Sequence, residues 1–344
     1  MPITVTREIT KSQKARFLEV VELLSLEFKG LTNQEAYRLA FSRLLKPDPL
    51  DRVSMMGTDQ RDHFVTLLSD HVKGIPERGQ YFDFGGGDGQ TFALVARSVP
   101  ENVTVHIVEP DRKYLAAYTA YVKAQPHLHL GHAIQTGFDQ LISPKRGITL
   151  QKPEAVDAAA AIHMIYFLPD LEESIKAMYS FLKPGGSLFI VFADERTSHT
   201  GQAVQNYYEK AGNFKKATAH RDICDKRFRL LGPQNSGGGQ IKNILHQEFP
   251  ETNAEVESTI LHSRLYGHTL ADIVVLSCIT ELAPSDDTTL FDHSKLIHCG
   301  ELIENHPEKV ALRIEDEGIR TGMYSVTQPQ IVTVIKRNRL KNTN

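Results

Sequence analysis

The sequence predicts an α/β fold with a mostly parallel sheet, and two observations carry that prediction. Short apolar segments alternate with helical segments between residue 80 and Asp194, which is the pattern of successive βαβ units. A Gly-rich turn follows the first apolar segment, at the place where such sheets bind ligands. The predicted strands are 81–84, 103–108, 127–133, 156–162 and 187–192, and the predicted helices between them are 89–98, 111–124 and 170–182.

The segments on either side of this alternation predict added elements. Residues 11–72 show helical spacing of apolar residues, interrupted by Pro47 and Pro49. After Asp194 we predict a helix over 202–217, a basic segment over 215–229, strands over 257–266 and 323–336, and helices over 269–282 and 294–305. The resulting domain prediction is a helical N-terminal cap over 1–74, a core over 75–337 with 196–250 inserted as a helical and loop cover, and a disordered tail over 338–344.

Composition excludes several classes of protein. The 344 residues are 41% hydrophobic and 24% charged, which excludes a disordered or collagen-like chain. A net charge of −3 provides no basic footprint, so we expect no nucleic-acid partner and no membrane. The basic segment is expected to be a solvated face, with an acidic acceptor or an RNA contact as the alternative. Nothing in the sequence predicts the oligomeric state.

The cysteines and the N-terminal residues indicate the cellular compartment and whether a metal site is expected. Cys224, Cys278 and Cys299 are widely spaced and outside any CxxC pattern, so neither a disulfide framework nor a zinc site is expected. The N-terminus is charged at once and lacks the apolar region of a secretory signal. We therefore expect a cytoplasmic protein without a metal.

The sharpest motif is the turn after the first predicted strand. Asp83 ends the strand, and Gly85, Gly87 and Gly89 follow before a helix begins. Glycines at these positions allow a tight turn and bring backbone N–H groups close to a ligand. Glu109 ends the second predicted strand, where a carboxylate can accept hydrogen bonds from the two hydroxyls of a ribose. The pattern predicts a cofactor that contains adenosine, with Asp83 placed to receive an ammonium group.

The glycine spacing separates two kinds of cofactor. A nicotinamide fingerprint starting at Gly85 requires glycine at position 90, which is Gln90. The Asp-x-Gly-x-Gly-x-Gly pattern instead resembles the first motif of class I S-adenosylmethionine-dependent methyltransferases. Asp157 at the fourth predicted strand and the segment 182–186 before the fifth are similar to that family as well. The resemblance implies a Rossmann-like, seven-stranded, mostly parallel sheet that ends in an antiparallel hairpin.

Within that family, the segments 85–89, 108–110 and 162–165 resemble histamine N-methyltransferase-like small-molecule enzymes. The resemblance implies S-adenosyl-L-methionine as cofactor and S-adenosyl-L-homocysteine as product. It implies cofactor contacts by Gly85, Glu109, Tyr114, Thr136 and Ile165, which join Asp83, Gly87 and Gly89 from the motif itself.

The acceptor side matches less closely, because the relatives use tryptophans in their pocket and this chain has none. Asp59 matches an early glutamate loosely, and Tyr166 replaces a polar amide. We predict catalytic roles for Asp59, Tyr166 and His199, and substrate contacts by Tyr166, Asp194, Tyr207 and Ser325, with Glu195 as a further residue near the cleft. His199 is expected to be solvated, and His163 to be a hydrogen-bonded core residue.

The resemblance implies N-methylation of an amine on a small molecule. An O- or C-methyltransferase of a natural product remains an alternative, because the preference for nitrogen rests on the resemblance. A non-catalytic module that binds the cofactor and a nicotinamide oxidoreductase are the alternatives from other classes.

Overall fold

The computed structural model describes residues 11–44, 57–137, 155–168, 170–277 and 289–339. The helices are α1 (Lys11–Glu27), α2 (Asn33–Leu44), α3 (Gln60–Lys73), α4 (Gln90–Val95), α5 (Arg112–Lys123), α6 (Leu171–Phe181), α7 (His199–Lys210), α8 (Phe214–Leu231), α9 (Ile241–Glu248), α10 (Leu270–Ser277) and α11 (Ser294–Asn305). The strands are β1 (Gln80–Phe84), β2 (Val103–Val108), β3 (Leu128–Ile134), β4 (Val156–Ile162), β5 (Leu182–Ala193), β6 (Thr252–Leu261), β7 (Arg264–Gly267), β8 (Arg313–Ile314), β9 (Tyr324–Thr327) and β10 (Gln330–Arg339).

A seven-stranded sheet confirms the predicted fold class. Its strand order is β3-β2-β1-β4-β5-β10-β6. The four pairs that join β1 to β5 are parallel, and β10 pairs with β6 in antiparallel register from Gln330↔Leu261 to Arg339↔Thr252. The five strands predicted between residue 80 and Asp194 all belong to this sheet. The apolar runs of β1, β2, β4 and β5 are mostly buried, as in a sheet covered on both faces, whereas the edge strand β3 is largely exposed or half-buried.

Helices cover both faces of the sheet with apolar side chains. On one face, Phe92 of α4 and Tyr118 and Val122 of α5 pack in a cluster with Tyr81 of β1. On the other face, Ile175 of α6 belongs to a cluster with strand residues that include Phe84, Ala161, Ile190 and Ile335. This alternation follows from the period of two in a strand, which sends neighbouring side chains to opposite faces.

The chain divides into two compact units. One unit holds the seven-stranded sheet and consists of residues from Phe64 to Phe192, from Lys226 to Leu261 and from Gln330 onward. The other consists of the residues up to His63, of 193–225 and of 262–329. These boundaries differ from those of the predicted cap, core and insertion, because the chain leaves the sheet unit after β5 and again after β6. The strand β10 also continues to Arg339, into the segment predicted as a tail.

The second unit has its own sheet and its own core. Its three strands follow the order β7-β9-β8, and both pairs are antiparallel. Its apolar cluster joins α1, α2, α7, α10 and α11, with Phe28, Ile273, Leu296 and Val326 fully buried. Among the helices of the described part of the chain, none is long and apolar enough to cross a membrane.

Two strand predictions and one helix prediction are wrong in their extent. The predicted strand 257–266 is divided into β6 and β7, and 323–336 into β9 and β10. Each pair belongs to two different sheets, so the final antiparallel pair β6–β10 is separated along the chain by a long insertion. The predicted helix 202–217 is divided into α7 and α8, because the chain turns at Gly212 with a φ of +66°.

Helix starts follow the expected capping chemistry. Asp111 accepts hydrogen bonds from Lys113 N at 2.8 Å and Tyr114 N at 3.3 Å at the start of α5. Asp170 caps α6 through Glu173 N at 3.2 Å, and Glu172 and Glu173 lie in the first turn. Carboxylates at these ends stabilise the helices through hydrogen bonds and the helix dipole.

Candidate active site

The strand order places a ligand-binding crevice at the carboxyl end of β1. The chain moves outward from β1 to β2 and β3, then returns to form β4 on the other side of β1. Connections from β1 and β4 therefore leave in opposite directions, which opens a gap between them at the carboxyl edge of the sheet. The predicted cofactor residues lie at the end of β1 or soon after the ends of β1, β2, β3 and β4.

The Gly-rich turn is folded tightly against its neighbours. Gly85 N donates to Val108 O at 2.8 Å, which ties the turn to the end of β2. Gly87 and Gly89 have φ values of +58° and +80°, a region that favours glycine. A Cβ on Gly89 would lie 2.5 Å from the Tyr118 ring, whereas one on Gly87 would meet nothing within 4 Å. The space beside Gly87 is therefore where backbone can face a ligand.

Asp83 is a buried carboxylate with one strong partner. Its side chain is 6% exposed, and Tyr118 OH donates to Oδ2 at 2.7 Å. Burial raises the pKa of Asp83 to about 7, the Tyr118 hydrogen bond opposes this rise, and the nearby Glu109 carboxylate adds to it. Asp83 therefore exchanges its proton near neutral pH, and a cation beside it would favour the charged form.

Tyr118 is a site residue that the sequence analysis did not single out. It is fully buried in α5, donates to Asp83 and fills the space beside Gly86 and Gly89. Its position one helical turn after Tyr114 was a signal, since residues four apart share a helix face. From the sequence, core packing alone explains a tyrosine at this position, because the contact with Asp83 depends on the fold.

Glu109 is fixed by two backbone donors. Its side chain is buried, Gly87 N donates to Oε2 at 2.9 Å, and Asp111 N donates to Oε1 at 2.9 Å. Burial is the main cause that raises the pKa of Glu109, and both backbone hydrogen bonds lower it. Each carboxylate oxygen can accept more than one hydrogen bond. The donor set therefore leaves acceptor capacity for a pair of ribose hydroxyls.

The other predicted cofactor residues lie on the same edge of the sheet. Thr136 follows β3 and is buried, with its N–H donating to Ile134 O at 3.1 Å. Tyr114 is half-buried in the first turn of α5. Ile165 is 1% exposed and begins a short 3₁₀ helix after β4. Like Asp83, Glu109 and the glycines, they belong to the sheet unit.

Tyr166 is the predicted substrate residue that lies in the same unit. Its hydroxyl is 3.3 Å from Nδ1 of His163, and the Arg227 guanidinium lies 5.3 Å from its ring centroid. Arg227 also donates to the Tyr166 carbonyl at 3.2 Å. His163 has a φ of +53° and is half-buried and hydrogen-bonded, as predicted. The His163 imidazole and the Arg227 guanidinium therefore hold the Tyr166 side chain in place.

The remaining predicted substrate residues lie in the second unit. Asp59 accepts from Arg264 N at Oδ1 and from Tyr266 OH at Oδ2, each at 2.6 Å. Ser325 is fully buried and accepts from Arg264 Nε at 2.8 Å. Arg264 thus joins Asp59 and Ser325 in one polar network.

Asp194 and Tyr207 make separate contacts in that unit. Asp194 is 4% exposed and receives two hydrogen bonds from Arg196, at 2.8 and 2.9 Å. Tyr207 donates to Asp292 at 3.1 Å and lies under the Lys295 ammonium. The two parallel hydrogen bonds fix the Asp194 carboxylate against the Arg196 guanidinium. Tyr207 is half-buried.

The expectation that His199 is solvated is wrong. Its side chain is fully buried at the start of α7, where Ser198 caps the helix. Burial lowers the pKa of His199 to about 4, and a backbone hydrogen bond at Ile273 partly opposes this change. His199 is therefore neutral at pH 7. Its catalytic role stays a prediction.

The buried state of His199 makes unfolding sensitive to acid. Its folded pKa of about 4 lies below the unfolded value of 6.5, so the unfolded chain binds the extra proton between these values. The contribution of the neutral His199 to the free energy of unfolding is complete above pH 6.5 and is lost as the pH falls toward 4. The loss is about 3 kcal/mol at most. Urea unfolding at pH 7 and pH 4.5 should show a smaller loss in His199→Asn than in the wild type. The exposed His129→Asn should match the wild type, and an equal loss in all three proteins would contradict this assignment.

Comparison with protein families identifies the domain. The family model described as a methyltransferase domain matches residues 58–228. That segment includes β1 to β5, the Gly-rich turn, Glu109 and Tyr166. Among curated proteins, no sequence matches this chain.

Three solved structures with a similar fold are described as methyltransferases. The chain is similar to a candidate methyltransferase of Bacillus halodurans C-125, with 15% identity and a TM-score of 0.47 over 80% of this chain and 98% of that chain. A candidate methyltransferase from an antibiotic biosynthesis pathway of Anabaena variabilis has 15% identity and a TM-score of 0.41, over 78% and 96% of the two chains. An S-adenosylmethionine-dependent methyltransferase of Aquifex aeolicus has 13% identity and a TM-score of 0.31, over 40% and 68%.

The domain match agrees with what the chain itself contains. The sheet has the expected seven strands, and the turn after β1 carries the Asp-x-Gly-x-Gly-x-Gly pattern with a buried acid at the end of β2. The chain carries a methyltransferase domain, and it is a class I S-adenosylmethionine-dependent methyltransferase.

Proposed function

We propose that this methyltransferase transfers its methyl group to an amine nitrogen of a small molecule. The bound cofactor supplies an electrophilic methyl group on a sulfonium. Methyl transfer of this kind is an in-line displacement, so the protein must align the acceptor and exclude water. The observation that supports methyl transfer is the buried pair Asp83 and Glu109 beside the Gly-rich turn, and the choice of an amine follows from the Asp59 carboxylate described below.

The cofactor assignment follows the chemistry of each residue. Asp83 receives the methionyl ammonium, since it is a buried carboxylate beside glycine backbone. Gly85, Gly87 and Gly89 allow close approach, and Glu109 accepts from the ribose hydroxyls. We assign Tyr114, Thr136 and Ile165 to the surroundings of the adenosine, because they follow the neighbouring strands at the same edge.

For the acceptor, we assign Asp59 as the residue that orients the amine or takes its proton. Both of its oxygens already accept one hydrogen bond from fixed donors, and its side chain is 14% exposed. A carboxylate held this way can still accept from an ammonium. An amine attacks once neutral, so no strong base is required. We assign further acceptor-side roles to Tyr166, Asp194, Tyr207, Ser325 and His199.

A reducing, cytoplasmic location is part of the proposal. Cys224 and Cys299 are buried thiols, and neither forms a disulfide within the described residues. Such thiols persist in compartments that keep cysteines reduced.

Removing the Tyr118 hydroxyl should weaken cofactor binding near neutral pH. Tyr118→Phe removes the hydrogen bond that lowers the pKa of Asp83, so a smaller fraction of Asp83 is charged at pH 7. A further rise of about one pKa unit would reduce the affinity for S-adenosylhomocysteine roughly fivefold at pH 7. The difference should nearly disappear at pH 8.5, where Asp83 is mostly ionised in both proteins. Calorimetric titration at the two pH values measures this.

Tyr121→Phe is the matched control for this experiment. Tyr121 lies on the same helix, and its hydroxyl donates to Ala93 O at 3.4 Å rather than to Asp83. Its affinity should equal that of the wild type at both pH values. An equal loss in both variants, or a loss that persists unchanged at pH 8.5, would contradict the role assigned to Asp83.

Turnover with a panel of small amines, phenols and carboxylates tests the acceptor class. We expect methylated product from at least one amine, with Asp59→Asn reducing kcat/KM for that amine by roughly 10- to 100-fold through loss of a charge-assisted hydrogen bond. Affinity for S-adenosylhomocysteine should not change. Asp316→Asn, at an exposed carboxylate, should behave as the wild type. Methylation of phenols or carboxylates with no amine turnover would favour O-methylation, and equal activity of the two variants would remove Asp59 from the site.

A further inference from the structure

A group of three side chains in the second unit has no part in the proposed methyl transfer. Glu195 follows the end of β5, and His220 and Cys224 lie four residues apart on one face of α8. Glu195 is 6% exposed and Cys224 is 5% exposed, whereas His220 is half-buried. A carboxylate, an imidazole and a thiol are the three side-chain types that bind Zn²⁺ in proteins.

The distances within this Glu-His-Cys group suit one shared metal ion. Cys224 Sγ is 3.7 Å from His220 Nε2 and 3.9 Å from Glu195 Oε2, and the three ligand atoms all lie within 4.8 Å of one another. Tetrahedral zinc, with its usual bonds to sulfur and nitrogen, separates two such ligand atoms by about 3.5 Å. Small side-chain adjustments would therefore bring all three atoms to bonding distance.

The backbone holds two parts of this group in place. The Asp194 carbonyl accepts from Thr197 N at 3.0 Å and from Ser198 N at 2.9 Å, which forms a tight turn around Glu195. Gly201 of α7 packs directly on the Glu195 carbonyl, with no room for a Cβ. His220 and Cys224 share a regular helix, where a spacing of four residues places side chains side by side. The group is thus preorganised by secondary structure.

The charges also favour a divalent ion. A thiolate, a carboxylate and a neutral imidazole carry two negative charges, which Zn²⁺ balances. A neutral complex suits a largely buried position, where unpaired charges are costly. A simple hydrogen bond from the Cys224 thiol to the Glu195 carboxylate would be the alternative explanation. It would not require His220, and the distance of 3.9 Å between Sγ and Oε2 is long for such a bond.

We propose that Glu195, His220 and Cys224 form a binding site for Zn²⁺ that is separate from the methyl-transfer chemistry. The thiolate and imidazole favour zinc over magnesium or calcium, which prefer oxygen ligands. Three protein ligands leave a fourth position for water or another ligand. The ion would connect the turn after β5 to α8, and so stabilise this part of the second unit.

Cobalt substitution tests the proposal directly on the full chain, purified without a histidine tag and stripped with a chelator. Titrated Co²⁺ should produce thiolate-to-cobalt charge-transfer absorption in the near ultraviolet that saturates at one ion per chain, and Zn²⁺ should abolish it. Cys224→Ser should lose the band. Cys299→Ser, which removes another buried thiol of this unit, should keep it.

Two results would overturn the proposal: a wild-type protein with no band at one equivalent of Co²⁺, or a band that survives Cys224→Ser. Should Cys224→Ser not fold, His220→Gln decides, because His220 is half-buried and its change is milder. We expect at least a tenfold weaker affinity for Co²⁺ in that variant, which is the scale seen when metal-site partners are removed. An unchanged affinity would exclude His220 and the site with it.

Discussion

Burial of two carboxylates at the ends of neighbouring parallel strands is the constraint on which the cofactor site depends. Asp83 and Glu109 are almost entirely removed from water, and burial raises the pKa of both carboxyl groups. Tyr118 OH and two backbone N–H groups offset part of that rise. A ligand that brings an ammonium and two hydroxyls offsets more of it. The same arrangement determines the local fold, because Tyr118 can reach Asp83 only if the turn between them contains glycines.

The sheet unit and the second unit divide the chain's tasks. The sheet unit brings the ends of four strands together, which is what a nucleoside-bearing cofactor requires. The second unit is assembled from three separate stretches of chain and contains most of the residues that we propose for the acceptor side. Such stretches are inserted between strands of the sheet without changing their order. The strands that carry the predicted cofactor residues therefore keep their order around these insertions.

The sequence predicted the sheet unit better than the second unit, for physical reasons. Strands β1 to β5 show local apolar runs separated by clear breakers, and Asp83 and Glu109 lie at their ends. The separation of β6 from β7 depends on pairing with β9 and β10, whose partner residues come more than 55 residues later in the chain. His199 follows a polar stretch, so its burial against the core of the second unit was not visible locally. Glu195 and the pair His220 and Cys224 are likewise distant in sequence, so no metal-ligand spacing indicated them.

We propose that the buried Glu109 holds the ribose of S-adenosylmethionine, and one calorimetric titration can test this contact. S-adenosylhomocysteine is titrated into the wild type, into Glu109→Gln, and into Glu101→Gln, which changes an exposed glutamate just before β2. We expect the wild type to bind at one site per chain and Glu101→Gln to bind with the same affinity. Glu109→Gln should bind about 10- to 100-fold more weakly, because it loses charge-assisted hydrogen bonds worth roughly 1.5–3 kcal/mol. Binding by Glu109→Gln that equals the wild type, or no binding by the wild type, would contradict it.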